Sequence, residues 1–130
     1  MNKLECIRNG DKLYSIEVPY STKEHIIGTW IDGKPLYRIV IQDTMPETET
    51  DGSKVEKHIN IANNISERFI EFAYITDNSY NNVPMPYITL LGYHAKCYIS
   101  GSKKLILINA CKTYNNRPCT VSVLYTKTTD

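Results

Sequence analysis

The feature that most constrains this chain is its succession of short runs of β-branched and aromatic residues, each closed within about ten residues by Gly, Pro, Asn or Asp. Such runs suit a pleated, half-buried surface, and the closing residues supply turn conformations. Ile (16), Thr (12), Tyr (10) and Val (6) far outnumber Leu (8) and Ala (4), the residues a helical protein accumulates. The pattern therefore predicts an all-β domain. At 130 residues with 42% hydrophobic content, the chain can bury one core and is too apolar for a disordered linker.

Run by run, residues 3–8 and 11–18 read as a hairpin about Asn9-Gly10, and Pro19 ends it. Residues 20–25 form a polar connection. A second hairpin joins 26–31 to 36–42 through Asp32-Gly33, with Pro35 where no ladder donor is needed. The acid- and Thr-rich stretch 43–54 reads as an exposed loop, and 54–61 as a strand. Residues 62–75 fit two periods: Ile65, Phe69, Phe72 and Ala73 a helical stripe, Ile70, Phe72 and Tyr74 a strand face. The branched and aromatic content favours a turn at 63–67 and a strand at 68–75. The loop 77–86, with two prolines, is expected to lack regular structure. Strands at 87–91, 95–100, 104–109 and 119–126 follow, with a tight turn at Ser100-Gly101-Ser102-Lys103. About nine short strands at this spacing predict an antiparallel β-sandwich or barrel.

Charge and motifs narrow the function by exclusion. A net charge of +1 lacks the basic footprint of a nucleic-acid binder. The longest apolar runs, such as 105–108, are too short to span a membrane as a helix, and Glu5 stands where a secretory signal would be apolar. A soluble protein made in the cytoplasm is expected, with no nucleic-acid partner and no membrane insertion. No G-x-S-x-G, phosphate-cradling loop or H-E-x-x-H occurs, so no catalytic residue is assigned and an enzyme is not expected. Cys6, Cys97, Cys111 and Cys119 show no C-x-x-C spacing. His94 and Cys97 would point to opposite faces of a strand, so neither a metal nor a cofactor is expected. The cysteines are read as free and structural, against a competing Cys111–Cys119 bridge.

The string Gly28-Thr29-Trp30-Ile31-Asp32-Gly33-Lys34-Pro35-Leu36-Tyr37, and the terminal V-x-V-L-Y-T-K-T-T-D at 121–130, resemble a module that closes many phage and prophage tail-fibre and minor structural proteins. Ile65-Ser66 to Ile70 and Pro84-Met85-Pro86-Tyr87 also look like that module, so the resemblance covers residues 20–130. It implies a non-enzymatic, jelly-roll-like, trimeric β-sandwich on a virion, assembled in the bacterial host cytoplasm, attaching to host cell-surface glycan. The module usually ends a much longer polypeptide. On this resemblance, residues 1–19 are expected to replace the shaft as an anchor to other virion proteins. A stand-alone carbohydrate-binding module and a surface-glycan hydrolase are the alternatives.

Two sets of residues are singled out. Trp30 and Tyr37, flanking the Asp32-Gly33 turn, are expected to cover one end of the sandwich as core or subunit-contact residues. Tyr80-Asn81-Asn82-Val83-Pro84 and Tyr114-Asn115-Asn116-Arg117-Pro118 repeat Y-N-N-x-P in two loops. Each offers an aromatic ring for a sugar's C–H face and two amides for its hydroxyls, and Arg117 adds a fork suited to an acidic sugar or a phosphate. The competing reading is that Asn-Asn makes a turn and Pro resumes the strand.

Overall fold

The computed structural model describes residues 20–128 in full, and from 1–19 only the backbone of two strands, β1 (Lys3–Cys6) and β2 (Tyr14–Glu17). These two pair antiparallel as a separate sheet, with Cys6 opposite Tyr14. The Asn9-Gly10 turn lies outside the described residues. Nine strands follow: β3 (His25–Thr29), β4 (Pro35–Thr44), β5 (Val55–Asn60), β6 (Ile65–Thr76), β7 (Asn82–Pro84), β8 (Tyr87–Ile88), β9 (His94–Ile99), β10 (Lys104–Asn109) and β11 (Pro118–Lys127). They form a five-stranded sheet ordered β3-β4-β11-β6-β7 and a four-stranded sheet ordered β5-β10-β9-β8, every pair antiparallel. Among the described residues there is no α-helix, only a 3₁₀ turn at Lys112–Tyr114. The chain is an all-β protein with a sandwich of two sheets, as the sequence predicts.

Period-2 alternation fixes which side chains meet between the sheets. Cys119, Val121, Val123 and Tyr125 of β11 are buried in one cluster with Leu105 and Leu107 of β10 and Ala95 of β9, and Tyr37, Ile39 and Ile41 of β4 pack against it. Each large side chain so buried contributes about 1.5–3 kcal/mol, which makes this seam the main source of stability. Central β10 is buried along Leu105, Ile106, Leu107, Ile108 and Asn109. That burial on both faces explains its continuous apolar run.

Several expectations need correction; the strand expected at 87–91, for one, holds only Tyr87–Ile88 before a turn. The stretch 43–54 is not simply an exposed loop: β4 continues to Thr44, and Met45 and Thr48 are buried. The single Thr48 O–H lies within reach of the carbonyls of Ser53 (2.6 Å) and Thr50 (3.0 Å) and is shared between them, so a polar side chain closes the loop from within. The turn before β6 is shorter than 63–67, because the strand begins at Ile65 and Asn64 supplies the left-handed residue at φ 58°. The 77–86 segment does contain regular structure. Asn82–Pro84 forms edge strand β7 against β6, a position where proline is tolerated.

β6 also carries a bulge. Phe72 pairs with Ser122 but Ile70 with Val123, so Glu71 is the extra residue. Ile70 therefore packs toward the core while Phe72 and Tyr74 face away from it, and the single face Ile70, Phe72, Tyr74 expected from the sequence is split.

Candidate binding surface

The two Y-N-N-x-P loops sit at one end of the sandwich but differ in every contact. In the first, Asp77 organises a self-contained turn. Its carboxylate accepts from the backbone N–H groups of Ser79 and Asn81, each at 2.9 Å, and from the Asn81 amide. These bonds, the largest effect coming from the Asn81 N–H, hold the Asp77 carboxyl below the usual carboxylate range against the opposing effect of desolvation. Tyr80 lies at φ 63° and is 85% exposed. Asn82 lies in β7, accepting from the Thr76 hydroxyl at 2.9 Å.

In the second loop Tyr114 is 6% exposed, packed edge-on against Tyr87 with centroids 5.7 Å apart. Burial, with Tyr87 beside it, pushes its hydroxyl up to about 12. The Asn115 side chain is held at both ends: Oδ1 accepts from the Thr48 N–H and from Asn109 Nδ2, both at 2.9 Å, and Nδ2 donates to the Thr48 carbonyl at 2.8 Å. Asn116, at φ 58°, donates to Glu47 at 2.7 Å. Arg117 donates from Nε to the Thr76 carbonyl (3.0 Å) and from Nη2 to the Asp77 carbonyl (2.9 Å). This corrects the picture of two equivalent sugar-facing loops. Asn115 fastens the 45–54 segment to β10, and the Arg117 fork fastens the first loop to the start of β11. The shared pattern makes a turn twice; Tyr80, Asn81 and Asn82 of the first loop are all exposed, whereas of Tyr114, Asn115 and Asn116 in the second only Asn116 is.

Trp30 and Tyr37 lie on opposite sides of their sheet. Asp32-Gly33 makes the expected turn: Gly33 has φ 90° and donates to the Trp30 carbonyl, and Asp32 accepts from the Lys34 N–H at 3.0 Å. Tyr37 stacks on Tyr125 of the core at 5.6 Å, with the Lys127 ammonium 4.5 Å above its ring. Trp30 packs on Phe69 at 5.2 Å, and Phe69 is opposite Leu124, which points away from the core. Trp30 sits opposite Lys34 across the turn and Tyr37 lies three residues further along its strand, so alternation alone puts the two rings on opposite faces.

That outer side of the five-stranded sheet bears a feature the sequence concealed. Tyr20, Phe72 and Tyr74 line a cavity of about 250 Å³, floored by Val40 and edged by Gln42 and Thr120. Phe72 and Tyr74 stack at 6.2 Å, and Tyr20 meets Phe72 at 5.8 Å in a tilted contact. Tyr20 came from a polar connection and the other two from a strand whose bulge was invisible. The spacing of Phe72 and Tyr74 was the one available signal.

Cys97, Cys111 and Cys119 are free thiols. No three His, Cys, Asp or Glu side chains among the described residues are arranged to hold a metal ion. No family model, curated protein or solved structure matches the chain.

Proposed function

We propose that this is a non-enzymatic phage or prophage virion protein, a fibre tip or surface decoration that attaches the particle to a host-surface glycan. On this reading it is a jelly-roll-like homotrimer displayed on the virion, assembled in the bacterial cytoplasm and anchored to other virion proteins through residues 1–19. The observation that supports it is where the resembling segments fall. Residues 28–37 make the β3–β4 hairpin, 65–70 open β6, and 121–127 form most of β11. The fourth segment, 84–87, joins edge strand β7 to β8. Short strings scattered in sequence thus belong largely to one contiguous sheet, as residues of one inherited module would. A trimer would also present equivalent weak sites together and raise avidity without new contacts.

Light scattering on the purified chain, run beside a glycan array, tests the reading. The expected result is three times the 14.9 kDa chain mass, with glycan bound. A monomer that binds glycan favours a free carbohydrate-binding module, and release of reducing sugar favours a hydrolase.

A further inference from the structure

The outer-face cavity has the parts of a sugar site already arranged. Phe72 and Tyr74, stacked with 16° between their planes, form a shelf, and Tyr20 tilts at 54° to Phe72 as a wall. The wall is held from behind. The Arg38 guanidinium lies 4.0 Å from the Tyr20 ring centroid, and its fork is fixed by two 3.1 Å bonds to Glu71, which also accepts from Ser122 at 2.7 Å. Ser21 secures the same strap by accepting from the Val40 N–H at 2.9 Å. An aromatic wall fixed before the ligand arrives reduces the ordering cost of binding.

The rim supplies what the Y-N-N-x-P loops have used up. The side chains of Thr22, Gln42 and Thr120 make no hydrogen bond among the described residues, so their donors and acceptors are available. Among the described residues no charged side chain lines the cavity, and the neighbouring Arg38 and Glu71 neutralise each other. An acidic ligand would find no unpaired cation there. The volume falls just below the roughly 300–1,000 Å³ of drug-sized sites, which suits one ring rather than an extended chain.

We infer that this cavity is the binding subsite for a single neutral pyranose ring, its C–H face on Phe72 and Tyr74 and its hydroxyls on Gln42, Thr22 and Thr120. The inference deepens the attachment reading and rests on it. Saturation-transfer NMR on the full chain, with methyl glycosides of neutral hexoses and N-acetylhexosamines, tests it, with N-acetylneuraminic acid as acidic comparator. Transfer should reach the ring C–H protons of a neutral glycoside. Phe72→Ala and the exposed Gln42→Ala should each weaken binding by about tenfold or more. Asn81→Ala should leave it unchanged. Undiminished binding by both cavity variants would overturn the subsite and leave glycan attachment standing. Transfer to the acidic comparator alone would also overturn it. No transfer to any saccharide, with an empty glycan array, would remove the attachment reading as well.

Discussion

The loops at 77–82 and 112–117 share a sequence pattern and almost nothing else. The first is built around one exposed carboxylate, and Tyr80 projects into solvent from its tip. The second is anchored: its tyrosine is buried, its first asparagine bonds residues on two other segments, and its arginine holds the first loop in place. The difference lies in the flanks. Cys111 and Cys119 bracket the anchored loop and are both buried, so the chain enters and leaves it from the core. The exposed loop joins the end of β6 to the three-residue edge strand β7. A short motif specifies a turn; the elements on either side decide whether its side chains are structural or free.

The largest test of this contrast is Asn115→Ala. It leaves the Thr48 N–H and carbonyl without their Asn115 partners and removes one of the bonds of the Asn109 amide, and should cost on the order of 3 kcal/mol in urea unfolding. Asn81→Ala in the exposed loop should stay within about 0.5 kcal/mol. Equal costs would break the comparison. Arg117→Ala comes next, at about 1–2 kcal/mol, and should expose the 77–82 loop to limited proteolysis while leaving 112–116 resistant. Arg117→Lys should not restore protection, since a single ammonium cannot reproduce the fork.

The thiols sharpen the contrast further. Burial, with Asp43 nearby, pushes Cys119 up to about 11, and burial, with Cys119 nearby, pushes Cys97 up to about 12. Both thiols and Cys111 should resist iodoacetamide at pH 8 until denaturant is added, and rapid alkylation would contradict their burial. Their folded values lie above the unfolded value of 9.0, so the stability they contribute is present below pH 9 and is lost as pH rises through about 11 and 12. The smallest effect concerns Asp77, whose value is lowered, so its support of the first loop is present above pH 3.8 and is lost as pH falls through the folded value. The Ser79 and Asn81 amide shifts should titrate together with a midpoint below 3.8, and a midpoint at or above it would contradict the turn geometry.

Most of the fold was legible because β4, β9, β10 and β11 advertise themselves locally, by alternation or by an apolar run between turn residues. What stayed hidden depended on distant partners. Thr48 looks like an exposed loop residue until Asn115, 67 positions away, closes on its backbone. β7 is three residues ending in proline, with no pattern to count, and exists only because β6 offers it an edge. The candidate site failed to appear for a related reason. A bulge at Glu71 shifts the side-chain period by one residue, which sends Phe72 and Tyr74 outward, where the Tyr20 strap meets them. Y-N-N-x-P could be read as a turn, but nothing in five residues says which copy is buried.

The most direct measurement is a ¹H–¹⁵N correlation spectrum of the full chain, titrated with a neutral methyl pyranoside that it binds. Amide shifts should move around residues 20–22, 40–42, 72–74 and 120, while those of 78–82 and 113–117 stay still. Shifts centred on Tyr80 to Asn82 instead would place recognition in the exposed loop and contradict an outer-face sugar site.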